Sequence, residues 1–310
     1  MPCYHPLTAY RQEHSNKLVF DRSKSHTKIP LGLACGQCIG CRLEKSRHWA
    51  IRCMHESSLH QDNCFITLTY DDQHLPPDHS LHYQHFQNFL KYLRRDHGQG
   101  IRFYMAGEYG EPTAENNYIA RPHWHACIFN HNFQDLIPWK KTPSGDILYT
   151  SESLSALWPK GHSTVGTVTF ESAAYCARYI MKKINGPKAT DLDPITGLSH
   201  YEKLTSDGEI ITRRPEFNKM SLKPGLGHVW YQNWKTDVYP SDTITHRGKA
   251  FSPPSYYDNL HETENPKAHE ETKARRRKKI LEHGVDLTPE RMRIREKVKL
   301  AQLNHLKRTL

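Results

Sequence analysis

The segment Arg121-Pro122-His123-Trp124-His125-Ala126-Cys127-Ile128-Phe129 leaves this chain the least conformational choice. Its composition and alternation predict a half-buried strand from His123 to Phe129, so the rings of His123 and His125 leave the same face around one large hydrophobe. Two imidazoles placed in this way are a ready pair of metal ligands. Fifty residues further on, Tyr175-Cys176-Ala177-Arg178-Tyr179-Ile180-Met181-Lys182 is rich in alanine nearby and lacks Gly and Pro, which predicts a helix. Tyr175 and Tyr179, at i and i+4, then lie one turn apart and point the same way.

Neither phrase carries much alone. With 22 His and 16 Tyr in 310 residues, about one or two His-x-His pairs and one such tyrosine pair arise by chance. Surface histidines and packed tyrosines are the commoner explanation of each. The weight comes from conjunction: a basic residue follows each tyrosine by three, Arg178 and Lys182, and Gly107-Glu108-Tyr109-Gly110 stands just upstream of the histidines.

Around these phrases the hydrophobic pattern predicts strands at Asn63 to Tyr70, Ile101 to Glu108, His123 to Phe129 and Thr164 to Phe170. Helices are predicted at Leu81 to Asp96, around Ser151 to Trp158, and at Glu171 to Ile184, closed by Gly186-Pro187. The resulting βαββαβα order is α+β, ferredoxin-like or RRM-like: an antiparallel sheet flanked by helices, expected on one face. The expected divisions are a Cys-containing amino-terminal region (1–60), a core (61–186), a loop-rich extension (187–266) and a basic, partly helical or disordered tail (267–310).

Net charge is +10, and residues 267–310 hold 14 Lys and Arg against 6 Asp and Glu, so most of the excess lies in the tail. That balance favours polyanionic partners and makes the tail a candidate DNA-binding arm, but it cannot carry chemistry. No apolar run reaches the roughly 18 residues of a membrane span, and Met1-Pro-Cys-Tyr-His-Pro-Leu-Thr lacks the parts of a signal peptide. Neither export nor a membrane partner is expected. The eight cysteines are then expected reduced. Cys35-Gly-Gln-Cys38-Ile-Gly-Cys41 can wrap three thiolates around a structural Zn²⁺, with Cys53 the foremost fourth ligand and His48 or Cys3 also available. Cys64, Cys127 and Cys176 are expected as buried, inert thiols.

These motifs resemble the HUH endonucleases, most closely the two-tyrosine rolling-circle replication initiators of microviruses, of gokushovirus type. The likeness runs over most of residues 30 to 230. It includes the Cys35 to Cys41 run, Phe65-Ile-Thr-Leu-Thr-Tyr70, Gly107-Glu-Tyr-Gly110, Arg121-Pro-His-Trp-His125, the tyrosine helix and Met220-Ser-Leu-Lys-Pro-Gly-Leu-Gly227. The stretch Glu111 to Ala120 is longer than the family pattern, so Glu111 and Glu115 stand as rivals to Glu108 for the third metal position.

The resemblance implies a nickase of single-stranded origin DNA in the host bacterial cytoplasm. His123, His125 and Glu108 would hold Mg²⁺ or Mn²⁺. Tyr175 and Tyr179 would be the nucleophiles, supported by Arg178 and Lys182, and the paired Lys182-Lys183 favours Tyr179 as the first to act. It also implies a 5′-phosphotyrosine and a free 3′-hydroxyl primer. No Gly-x-x-x-x-Gly-Lys-Ser/Thr motif is present, so unwinding and synthesis would fall to a host helicase and polymerase. The competing readings are a plasmid or transposon HUH nuclease, and a non-catalytic zinc-dependent DNA-binding protein.

Overall fold

A computed structural model describes residues 3–12, 15, 17–25, 28–110, 120–142, 145–178, 189–205, 207–282, 286 and 288–305. The chain divides into two compact units: residues 1–45 with 273–308, and residues 46–272. The expected amino-terminal region and the expected tail therefore contribute to one unit. In it, β1 (Leu7–Arg11), β2 (Leu18–Val19) and β3 (Leu31–Leu33) form a small antiparallel sheet in the order β2-β1-β3. The division falls inside helix α1 (Ile39–Ser57).

The larger unit continues with β4 (Asn63–Tyr70), α2 (Tyr83–His97), β5 (Arg102–Tyr109), β6 (Pro122–Phe129), β7 (Ile137–Lys141), β8 (Ile147–Thr150), α3 (Glu152–Leu157), β9 (Gly161–Gly166) and α4 (Phe170–Arg178). After these come β10 (Glu202–Leu204), β11 (Ile210–Thr212), β12 (Phe217–Met220), α5 (His228–Val238), β13 (Ile244–His246), β14 (Lys249–Phe251), α6 (Ser255–Glu264) and the start of α7 (Pro266–Glu282), whose remainder belongs with α8 (Pro289–His305) to the smaller unit. A seven-stranded sheet runs β12-β5-β6-β4-β9-β8-β7, and every neighbouring pair is antiparallel. Its four central strands, β5-β6-β4-β9, have the order required by the ferredoxin-like pattern.

Alternation along the strands sorts the core into two layers. Ile66, Leu68 and Tyr70 of β4, Phe103 and Met105 of β5, and Trp124 and Ile128 of β6 face α2 and α3. Helix α2 meets them with Phe86, Phe89, Leu90 and Leu93, spaced to make one apolar stripe. Each such side chain contributes about 1.5–3 kcal/mol when fully buried. The opposite residues, Phe65, Tyr104, Ala106, Cys127 and Phe129, pack against Ala50 and Cys53 of α1 and Ala173, Ala174, Cys176 and Ala177 of α4. Helices thus cover both faces, which corrects the expectation of one. The small side chains of α4 let its backbone lie close over the sheet.

Three further differences have local causes. The strand expected over Thr164 to Phe170 ends at Gly166, because Thr169 and Ser172 cap each other's backbone N–H at 3.1 and 2.8 Å and start α4. The hairpin β7–β8 has no signature in the sequence, since all five residues of β7 are exposed and have no alternation to read. Residues 187–266, expected to be loop-rich, carry α5, α6 and a separate core of Tyr231, Val238, Tyr239, Ile244 and Tyr257. In the tail, α7 and α8 are helical.

Candidate active site

Strand β6 lies between β5 and β4, so each histidine has a cross-strand neighbour on both sides. Glu108 of β5 is directly opposite His123, and Thr67 of β4 is directly opposite His125. Such pairs have Cβ atoms about 4.5–5.5 Å apart, which brings the three candidate ligand side chains to one spot without any loop. Glu108 Oε1 lies 2.6 Å from His123 Nε2 and 2.9 Å from His125 Nε2. The ligand atoms of all three residues fall within 4.8 Å of one another.

The other ring nitrogens are anchored from behind. His125 Nδ1 is 2.9 Å from the Thr67 hydroxyl, and His123 Nδ1 is 3.2 Å from the Arg121 carbonyl. Phe65 stacks along His125, with centroids 5.7 Å apart and planes at 14°. Backing of this kind fixes which nitrogen faces the shared centre. Glu108 is 2 % exposed. Burial alone pushes its pKa up, but hydrogen bonds and charge from His123 and His125 outweigh that and hold it below the ordinary carboxylate range. An ionised carboxylate between two Nε2 atoms suits a divalent cation, which would take over the positions now bridged by N–H donors.

On the other face of β6, Trp124 is fully buried and donates its indole N–H to the Tyr70 hydroxyl at 3.3 Å. Its ring lies over Gly107, where a Cβ would come within 2.6 Å of Cζ3. The glycine beside Glu108 thus makes room for the residue between the two histidines.

Tyr175 of α4 presents its ring edge-on to His125, with centroids 5.1 Å apart and planes at 84°. The helix is pinned by Ser46, whose hydroxyl donates to the Ala174 carbonyl at 3.0 Å, and by Asn218 of β12, whose amide donates to the Cys176 carbonyl at 2.9 Å. Arg178 is one turn on, its guanidinium carbon 6.0 Å from the Tyr175 ring centre. Tyr179, Lys182, Glu111 and Glu115 lie outside the described residues. Beside His125 and Tyr175 opens a cavity of about 310 Å³, walled by Thr67, Thr69 and His162 and by Trp139 and Leu148 of the β7–β8 hairpin.

Sequence reasoning did not single out Thr67, Ser46, Asn218 or Trp139. Thr67 stood within the recognised Phe65 to Tyr70 motif, and its face was readable from the strand period. The others come from distant segments or from an exposed hairpin, and left no local signal.

The cysteines separate into two groups. Cys3, Cys35, Cys38 and Cys41 gather with their sulfurs within 4.8 Å. Cys53, the foremost expected fourth ligand, is instead buried against the sheet with Cys127 and Cys176. It stands near the far end of the helix whose first turn carries Cys41, and faces the sheet core. Burial pushes the Cys53, Cys64 and Cys176 thiols up, as inert packing groups require, whereas hydrogen bonds from Cys176 and Cys53 hold the buried Cys127 thiol below its ordinary value, against the expectation of an inert group there.

Among the described residues no helix is long and apolar enough to cross a membrane. Residues 63–184 match the family described as replication-associated protein ORF2/G2P. Replication-associated protein VP4 of Bdellovibrio phage phiMH2K is 30 % identical over 275 residues, covering 86 % of this chain and 79 % of that protein. Replication-associated protein ORF2 of Spiroplasma virus 4 is 29 % identical over 290 residues, covering 85 % and 81 %. Replication-associated protein ORF4 of Chlamydia phage 1 is 33 % identical over 182 residues, covering 56 % and 43 %. No solved structure matches the chain. The extent of these likenesses, over a sheet with the expected strand order, shows that the chain belongs to the family of phage replication-associated proteins, as a replication initiator of microvirus type.

Proposed function

We propose that this initiator is a single-stranded DNA nickase and ligase that starts rolling-circle replication at a phage origin. The observation that carries the reading is the Tyr175 ring perpendicular to that of His125 with centroids 5.1 Å apart, beside the Glu108 Oε1 that the Nε2 atoms of His125 and His123 share. Mg²⁺ or Mn²⁺ held by Glu108, His123 and His125 would withdraw charge from a non-bridging oxygen of the scissile phosphate.

The remaining work falls to side chains. The phenol oxygen of Tyr175 or Tyr179 attacks phosphorus and loses its proton. The tyrosine O–P bond forms as the bond from phosphorus to the 3′ oxygen breaks, and that oxygen takes up a proton. The products are a 5′-phosphotyrosine and a 3′-hydroxyl that primes synthesis. A phenol, with a pKa near 10, is also a tolerable leaving group, so rejoining needs no ATP. Arg178 and Lys182 supply fixed positive charge to the phenolate and to the crowded phosphorus. With two tyrosines, one stays linked to the old 5′ end while the other cuts the regenerated origin. The partners are single-stranded origin DNA and a host helicase and polymerase, in the host bacterial cytoplasm.

The paired tyrosines favour this reading over a plasmid or transposon nuclease. A non-catalytic zinc-dependent DNA-binding protein leaves the Glu108, His123 and His125 cluster without a use. The test is a tiled set of single-stranded oligonucleotides from the phage genome, incubated with protein and Mn²⁺ and run on a denaturing gel. A covalent adduct is expected from wild type. His123→Ala, His125→Ala and Glu108→Ala should form none while still binding the strand, because binding rests on distributed backbone contacts. Full cleavage by any of the three at limiting Mn²⁺ refutes the metal assignment.

A further inference from the structure

The smaller unit contains a second ligand cluster that plays no part in the nicking reaction. Cys3 stands near the amino terminus, Cys35 and Cys38 flank the turn before α1, and Cys41 lies in its first turn. Their sulfurs converge, with Cys38 Sγ 3.9 Å from Cys3 Sγ and Cys35 Sγ 4.0 Å from Cys41 Sγ. Four thiolates around zinc, with Zn–S near 2.3 Å, form a tetrahedron whose edges are about 3.8 Å. The observed separations are close to that edge and far beyond a disulfide bond, and all eight cysteines are free.

The backbone is arranged for charged sulfur. The Cys35 amide donates to Cys3 Sγ at 3.2 Å, the Cys38 amide to Cys35 Sγ at 3.3 Å, and the Tyr4 amide to Cys38 Sγ at 3.3 Å. The Gln37 amide also donates to Cys35 Sγ, at 3.4 Å. Amides aimed at sulfur are the outer shell that metal thiolates require.

The surroundings of the cluster explain what such a metal would do. The buried residues packed with it are Tyr4, Cys38 and Met292. Met292 is the buried residue of α8 among those described, whereas Ile294, Val298 and Leu300 of the same helix are 45, 51 and 44 % exposed. A second tie is the hydrogen bond between His5 Nε2 and Glu296 Oε2 at 2.7 Å, in which His5 is exposed and Glu296 half-buried. Among the described residues, the buried apolar packing that joins α8 to the cluster is the Met292 side chain against Tyr4 and Cys38, a small area to set against the entropy of ordering two segments remote in sequence. A small unit with a limited apolar core gains stability from a bound metal.

We propose that Cys3, Cys35, Cys38 and Cys41 bind one Zn²⁺, and that this ion fastens the basic helix α8 to the amino-terminal segment. Binding replaces four thiol protons with one metal ion, so it weakens as pH falls. The site is independent of the nickase reading, because it shares no residue with it.

The full chain should be expressed in zinc-supplemented medium and purified under reducing conditions, in a His123→Ala/His125→Ala background so that only the thiolate site is counted. One zinc per chain is expected by elemental analysis. Cobalt replacement should give the intense visible bands and sulfur charge-transfer absorption of a tetrahedral all-thiolate site. Cys3→Ser should lose most of the metal, whereas Cys53→Ser should keep it. Trypsin should cut at Arg291, Arg293 or Arg295 after chelation and much more slowly once zinc is restored. A metal-free protein, unchanged zinc in Cys3→Ser, a cobalt spectrum with a nitrogen ligand, or α8 cleavage indifferent to chelation would each overturn the proposal.

Discussion

Replacing Thr67 by Val removes one oxygen from behind the proposed metal site and little else. Valine keeps the volume and branching of threonine and suits the strand, so β4 keeps its register against His125. What disappears is the 2.9 Å hydrogen bond to His125 Nδ1. Losing such an outer partner typically costs 10–100-fold in metal affinity, about 1.4–2.7 kcal/mol. Two other contacts still restrain the ring: Phe65 stacks along it at 5.7 Å and Tyr175 meets it edge-on at 5.1 Å. The effect should therefore fall at the low end, about tenfold. Fold stability should change by about 1 kcal/mol, the usual net value of one hydrogen bond. The assay is the initial rate of oligonucleotide nicking across a Mn²⁺ titration. The Thr67→Val half-saturation point should move about tenfold upward, with near wild-type rate at saturation, whereas Thr67→Ser should track wild type. An unchanged Mn²⁺ dependence, or a rate that never recovers, refutes the argument that Thr67 acts by orienting His125.

The tyrosines should divide the labour: at least one of Tyr175→Phe and Tyr179→Phe should still nick, and the double variant should form no adduct, as read by mass spectrometry of the peptide carrying the trapped nucleotide. Gly107→Ala would put a methyl 2.6 Å from Trp124 Cζ3 and 3.1 Å from Leu81 Cδ2. That overpacking should cost about 1–3 kcal/mol and lower Tm by several degrees, and an unshifted melting curve would show that the indole yields freely. Burial holds His55 neutral until about pH 3, against about 6.5 for an unfolded histidine. Its contribution to stability is therefore present above pH 6.5 and lost as pH falls toward 3, since the unfolded chain takes up a proton that the folded chain refuses. Urea unfolding at several pH values should show that slope, and His55→Phe, which keeps the stack on Trp230, should flatten it.

The succession of strands and helices along the chain, the paired histidines and the start of the tyrosine helix were legible because each depends on a short-range period. Side chains alternate along β6, so His123 and His125 share a face whatever surrounds them. Alanines and the lack of Gly or Pro make Phe170–Arg178 helical before any partner is known. Such periods do not say which strands become neighbours. That Glu108 rather than another acid meets both Nε2 atoms follows from the β5–β6 register, and that Thr67 backs His125 follows from β4–β6 pairing.

The fourth sulfur of the Cys cluster shows the same limit most clearly. By spacing, Cys53, twelve residues from Cys41 on the same helix, and Cys3, 32 residues from Cys35, are both available, and nothing in the order of residues chooses between them. Helical geometry turns Cys53 onto the sheet beside Cys127 and Cys176, and chain reversal through β1 and β3 brings Cys3 to Cys35 and Cys38. The amino-acid order by itself determined the residue types, their faces and the order of strands and helices, since these arise from steric preferences a few residues long. Which face each helix covers, which acid and which thiol complete each cluster, and how β7–β8 walls the cavity were decided only in the tertiary structure, because they depend on burying surfaces that lie far apart along the chain.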